Sequence, residues 1–92
     1  MPEYPGGIVE ANEFIDAQII LLEASHINGK VFVQLTINEN GEILNPTPIK
    51  NSTGNQLADS LAVEVVKSMP PWIPGTYKSD PIETKVIIPI EF

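Results

Sequence analysis

Few side chains in this chain of 92 residues could carry out acid–base or covalent chemistry. His26 is the single histidine, and because Ser25 and Asn28 beside it are typical turn residues, we interpret it as a turn or surface histidine. The absence of cysteine excludes disulfides, thiolate catalysis and cysteine zinc sites. No arrangement of Ser, His and Asp and no pair of carboxylates indicates an active site. The sequence therefore predicts a protein that is not an enzyme and that uses no cofactor or metal.

Two polar segments superficially resemble ligand-binding loops. Residues 38–42 read Asn-Glu-Asn-Gly-Glu, which offers oxygen ligands and a glycine but lacks the ligand spacing of a calcium loop. Residues 52–54 read Ser-Thr-Gly, which is too short for a phosphate-binding loop and lacks its lysine. We interpret the first segment as a hairpin turn and the second as a plain loop.

The charge of the chain restricts its partners. Twelve acidic residues oppose five basic ones, all lysines, and the net charge is −7. Such a surface repels phosphate groups, and it lacks the arginines that usually recognise them. We expect no nucleic-acid partner, and membrane association only through an anchor upstream of this sequence.

Hydrophobic periodicity predicts five elements. Helical spacing of apolar residues indicates helices over residues 8–22 and 56–68, and alternation indicates strands over residues 30–38, 42–50 and 82–92. The end of the first helix is left open, because residues 17–24 could continue the helix or turn into a short strand. The economical arrangement is an α+β fold in which two helices pack on one face of a three-stranded antiparallel sheet, in the order α-β-β-α-β.

The length predicts one folded unit with an extended leader. We expect residues 1–7 to form an N-terminal arm, because Pro2 and Pro5 disfavour helix, and residues 8–92 to form a single domain. The strand faces expected to meet the helices are Val31, Val33, Leu35 and Ile37, and Val86, Ile88, Ile90 and Phe92. The second helix is expected to bury Leu57, Ala58, Leu61, Ala62, Val65, Val66 and Met69.

The last third of the chain is the most informative region. Pro70 and Pro71 stop the second helix, Trp72 follows in a proline-rich loop, and the chain then continues as an alternating strand. Pro89 within that strand cannot donate to a ladder, which predicts a strand at the edge of the sheet. Edge strands are either blunted or used for pairing with another chain. Trp72 is interpreted as a core residue, with contact to a partner as the alternative.

Four segments, taken together and in order, resemble a known family. They are Pro2-Glu3-Tyr4-Pro5-Gly6-Gly7; Gly29 to Ile37 with Asn40-Gly41; Leu57 to Pro70 with Trp72, Pro74 and Gly75; and Ile88-Pro89-Ile90-Glu91-Phe92. This set is similar to the C-terminal domain of TonB-type energy transducers, in the form common in Bacteroidetes-like bacteria, and the resemblance implies a divergent, acidic form of that domain.

The resemblance implies a periplasmic interaction domain of a membrane-anchored protein. Such a domain grips an extended segment of an outer-membrane transporter, the TonB box, by adding it as a strand. On this sequence the pairing residues would be Thr84, Lys85, Val86, Ile87, Ile88, Pro89 and Ile90, with Trp72 and Tyr77 as candidate partner contacts. The same edge could instead form a homodimer. The alternative from another class is a small secreted or periplasmic domain of structural or inhibitory kind.

Overall fold

The computed structural model describes residues 2–22 and 26–92. Its elements in these ranges are α1 (Gly7–Leu21), β1 (Lys30–Ile37), β2 (Ile43–Asn51), α2 (Leu57–Lys67), β3 (Gly75–Tyr77), β4 (Asp80–Ile82) and β5 (Thr84–Glu91). The α+β class and the order α-β-β-α-β of the main elements are confirmed.

The main sheet has the strand order β2-β1-β5, with both neighbours antiparallel to β1. The β1–β5 register runs without a shift from Lys30 opposite Glu91 to Ile37 opposite Thr84. The β1–β2 register shifts twice, once after Phe32 and once after Gln34. The first strand is therefore central, and β2 and β5 are the two edges.

Alternation along the strands places the core on the helix side of the sheet, as expected. The side chains of Val31, Val33 and Ile37 are fully buried, and Leu35 is 1% exposed. From α1, Ile15 and Ile19 are buried. The buried residues of α2 are Ala58, Ala62, Val65 and Val66. The same apolar face of β5 contributes the fully buried Ile90.

Two sequence expectations are wrong in detail. Leu57, expected in the buried stripe of α2, is the first residue of that helix and is 69% exposed. Ile82, expected in the final strand, belongs instead to β4, which pairs with β3 as a separate two-stranded ribbon. The turn of this ribbon has positive φ angles at Lys78 and Ser79. Turns of this kind usually contain Asn or Gly, so the sequence does not predict one here.

The N-terminal arm is attached to the loop that follows α2. Glu3 and Ile73 exchange backbone hydrogen bonds of 2.9 and 2.7 Å. The ring of Tyr4 lies between those of Phe14 and Trp72, with centroid distances of 6.1 and 6.0 Å. The arm therefore packs as part of the domain and connects α1 to the Trp72 loop.

Candidate functional site

The hydrogen-bond alternation of the sheet determines which backbone groups of β5 face outward. The N–H of Phe92 donates to the carbonyl of Gly29 at 2.9 Å, whereas the carbonyl of Lys30 accepts from the N–H of Ser52 at 2.9 Å, beyond the end of β2. In antiparallel sheets, successive residues direct their backbone groups to opposite sides. Lys30 therefore faces the β2 side, and its partner in β5, Glu91, directs its own N–H and carbonyl away from the sheet.

Extending this alternation along β5 identifies an unpaired edge. The N–H groups of Lys85, Ile87 and Glu91 point away from β1, together with the carbonyls of these residues and of Pro89. No other strand pairs with β5 within residues 2–22 and 26–92. The side chains of these residues are exposed on the open face of the sheet, and Ile87 is 55% exposed. The outer edge of β5, defined by Lys85, Ile87, Pro89 and Glu91, is the candidate site.

The residues predicted from the sequence divide between two roles. Thr84, Val86, Ile88 and Ile90 direct their backbone groups toward β1. Lys85, Ile87 and Pro89 face outward, and so does Glu91, which was not among the residues predicted from the sequence. Pro89 could have indicated which residues of β5 face outward. Proline has no N–H, so it fits best at a position where no hydrogen bond to the neighbouring strand is lost.

The two edges of the sheet are unequal. Two prolines, Pro46 and Pro48, interrupt β2, and the register of this strand against β1 shifts twice. Asn45 in the same strand has a positive φ of 49°. Irregularities of this kind blunt an edge against further pairing. By comparison, β5 is regular and carries Pro89 as its one proline, so β5 is the edge better suited to accept a strand.

The two aromatic candidates lie in different environments. Trp72 is 8% exposed and packs against Tyr4, so it contributes mainly to the core. Tyr77 is 63% exposed on β3, outside the sheet that contains β5, and the Nζ of Lys78 lies 5.4 Å from the centroid of its ring. The structure therefore does not place the two rings in one sheet with the edge of β5.

A groove of about 440 Å³ runs beside β5 on the helix side of the sheet. Its walls include Ile8, Ala11 and Ile15 of α1, and Val86 and Ile88 of β5. Tyr4 and Trp72 also contribute to the lining. Burial raises the pKa of the Tyr4 hydroxyl, and the nearby carboxylate of Glu10 raises it further. The groove is thus apolar along most of its length and adjoins the unpaired edge.

The described residues offer little else that could act chemically. No cluster of three or more metal-ligating side chains occurs among residues 2–22 and 26–92. In the same part of the chain, neither helix has the length and apolarity needed to cross a membrane. The ion pair between Lys30 and Glu91, at 3.9 Å, is solvent-exposed and contributes little to stability.

Comparison with known proteins identifies the domain. A family model described as Gram-negative bacterial TonB protein C-terminal matches residues 22–92. Searches of curated proteins and of solved structures give no match. The matched family comprises periplasmic protein-interaction domains that are not enzymes. Because the match covers well over half of the chain, this protein belongs to the TonB C-terminal domain family.

Proposed function

We propose that this domain binds an extended segment of an outer-membrane transporter, the TonB box, as an additional strand along the outer edge of β5. In this way it would transmit force to the transporter during energy transduction. The observation that carries the proposal is the unpaired row of backbone groups at Lys85, Ile87, Pro89 and Glu91, on a strand whose register is unbroken. Strand addition uses main-chain hydrogen bonds for affinity and alternate side chains for specificity.

The expected affinity is modest. Each hydrogen bond formed along the edge contributes about 0.5–1.5 kcal/mol net. Ordering a flexible segment and losing its free motion costs several kcal/mol, which offsets much of this gain. A moderate affinity suits a contact that must form and release repeatedly. Lys85, Ile87 and Glu91 would contribute most directly, because they offer both a donor and an acceptor.

Aromatic contacts are a secondary part of the proposal. Trp72 lines the groove on the helix side of the sheet, so it would contact side chains of the partner that point to that side. The exposed ring of Tyr77 would contact the partner only if the segment extended past the β3–β4 ribbon.

Proline at Ile87 provides the test. It removes an N–H that forms no bond to β1 and places a ring atom on the outer edge, so the domain should fold while strand addition is blocked. Binding would be measured by calorimetry with peptides from the N-terminal periplasmic segments of outer-membrane transporters of the same genome. We expect at least one peptide to bind wild type and to bind Ile87→Pro at least tenfold more weakly.

Two further variants provide controls. Ile87→Val keeps the backbone donor and a β-branched side chain, so it should bind like wild type. Ile88→Pro removes an N–H that faces β1 and should destabilise the fold itself, which circular dichroism would reveal. A folded Ile87→Pro variant with unchanged affinity would contradict strand addition at β5, and failure of all peptides to bind wild type would contradict the choice of partner.

A further inference from the structure

The apolar face of β5 is less completely covered than that of β1. Leu35 and Val33 of β1 are almost completely buried, whereas their partners in β5, Val86 and Ile88, are half-buried. The groove between α1 and β5 accounts for this difference, because its walls take in Val86 and Ile88 on one side and α1 on the other. Ile8 on the α1 side is 77% exposed. An apolar layer of the domain is therefore incomplete beside the free edge.

A strand added to β5 would bring its own side chains into this gap. Adjacent strands lie about 4.8 Å apart, and side chains directly opposite each other point to the same face of the sheet. Residues of the added strand opposite Val86 and Ile88 would therefore point toward the helix side. There they would lie next to the walls contributed by Ala11 and Ile15. These two positions of the partner are separated by one residue, which would face the open side.

The groove continues to a polar end with negative charge. Its extension is lined by Asn12, Asp16 and Glu91, together with Ile15, Pro89 and Phe92. Among the residues that the structure describes, no lysine, arginine or histidine lines either part of the groove. Asp16 thus gives this end of the groove a negative charge next to the last residues of β5, whereas the side chain of Glu91 lies on the open face and pairs with Lys30. A cation of the partner would be favoured there, because it would lie close to the carboxylate of Asp16.

We infer that the groove selects an added segment with two apolar side chains at alternate positions and a lysine or arginine at the next position of the same face, at the acidic end. This inference rests on the proposed strand addition at β5 and adds the side-chain preference of the site. The groove walls from α1 lie outside residues 22–92, the part of the chain that matches the family.

A second copy of this chain is a poorer occupant. Each copy carries a net charge of −7, so two copies repel one another. If two β5 strands paired antiparallel around Ile88, Ile87 would lie opposite Pro89 of the other copy, which has no N–H to donate. A separate segment that carries a basic residue avoids both penalties.

Designed peptides test the side-chain pattern. The probe Thr-Ile-Thr-Ile-Thr-Lys-Thr places both isoleucines and the lysine on one face, whereas Thr-Thr-Ile-Ile-Thr-Lys-Thr has the same composition with the isoleucines on opposite faces. Because a strand can add in either direction, both reversed sequences are measured too, and the tighter-binding direction is used for each. We expect the alternating probe to bind wild type at least tenfold more tightly than the scrambled one.

A charge reversal tests the acidic end. Asp16→Lys should invert the preference between the alternating probe and its version with glutamate in place of lysine, so that the glutamate probe binds more tightly. Glu13→Lys makes the same change of charge one turn away on α1, outside the groove lining, and should keep the wild-type preference. Equal binding of alternating and scrambled probes, or an unchanged preference in Asp16→Lys, would overturn the inference.

The remaining variants separate the inference from the proposed function. If Ile87→Pro abolishes binding of both probes while they bind wild type equally, strand addition stands and the side-chain preference fails. If Ile87→Pro binds the alternating probe as wild type does, strand addition at β5 fails, and the inference fails with it. Failure of every probe to bind wild type, or a homodimer in sedimentation that the probes cannot displace, would also overturn the inference.

Discussion

The backbone N–H of Trp72 donates a hydrogen bond of 2.8 Å to the carbonyl of Gly41, which joins the β1–β2 turn to the loop after α2. Gly41 is buried and has a φ of 82°. A Cβ at this position would overlap the carbonyl oxygen of Trp72. Glycine is therefore required here both by the backbone conformation and by the close approach of the two segments.

Replacing Gly41 with alanine should destabilise the domain strongly. The left-handed conformation costs a residue with a side chain about 1–2 kcal/mol, and the overlap with Trp72 adds roughly 1–3 kcal/mol. Urea unfolding would measure the loss. Gly54→Ala is the matched control, because Gly54 also has a positive φ, of 73°, but nothing lies within 4 Å of the added Cβ. Equal losses in the two variants would contradict the close contact at Gly41.

Tyr4 should stabilise the domain through its ring rather than its hydroxyl. Its ring contacts those of Phe14 and Trp72, and the residue is 8% exposed. We expect Tyr4→Ala to lower the free energy of unfolding by about 3–5 kcal/mol, and Tyr4→Phe to change it by less than about 1 kcal/mol. Thermal unfolding followed by Trp72 fluorescence would measure both. A small effect of Tyr4→Ala would show that the arm does not pack on the domain in solution.

The hydroxyl of Tyr4 should titrate above its ordinary pKa of 10.0, because burial disfavours the phenolate and Glu10 repels it. As the pH rises past 10.0, the unfolded chain loses this proton while the folded chain keeps it, so the free energy of unfolding falls. Below that pH, the tyrosine is protonated in both states, so Tyr4 causes no change of the free energy of unfolding with pH. Tyrosinate absorbance in a Tyr77→Phe variant, where Tyr4 is the remaining tyrosine, would measure the midpoint.

A Glu10→Gln replacement in the same background separates the two causes. It removes the repulsive carboxylate and leaves the burial of Tyr4 in place, so the midpoint should fall while staying above 10.0. A midpoint at or below 10.0 before this replacement would mean that the arm leaves Tyr4 in solvent.

The side chain of Asn51 organises the connection between β2 and α2. Its Oδ1 accepts from the N–H and the hydroxyl of Thr53 at 2.8 and 2.6 Å, and its Nδ2 donates to the Asn55 carbonyl at 3.0 Å and to Asp59 Oδ1 at 3.1 Å. We expect Asn51→Ala to destabilise the domain by roughly 1–3 kcal/mol in urea unfolding. Asn12→Ala, at an exposed helical position, should be neutral or slightly stabilising; an equal loss there would contradict the role given to Asn51.

The strands that form the core could be predicted because their period is unambiguous. Val31 to Ile37 alternate strictly, so burial of one face decides both the element and its orientation. The edge position of β5 was likewise predictable from Pro89, which cannot donate to a neighbour. The family resemblance agreed with these features and was confirmed by the family match.

The features that were missed depend on tertiary contacts or on unremarkable residue types. The β3–β4 ribbon turns at Lys78 and Ser79, which lack the usual Asn-Gly signal. The hydrogen bond between the N–H of Trp72 and the carbonyl of Gly41 joins residues far apart in the sequence, so no local pattern predicts it. The groove beside β5 likewise arises from the position of α1 relative to the sheet, which periodicity alone does not determine.

Site-resolved amide hydrogen exchange of the free domain tests the central claim most directly. If the outer edge of β5 is unpaired, the amides of Lys85, Ile87 and Glu91 should exchange rapidly, while those of Val86, Ile88 and Ile90, which bond to β1, should be protected. A bound transporter peptide should then protect Lys85, Ile87 and Glu91. Equal protection of both sets in the free monomer would mean that the edge is already covered, and would contradict the account.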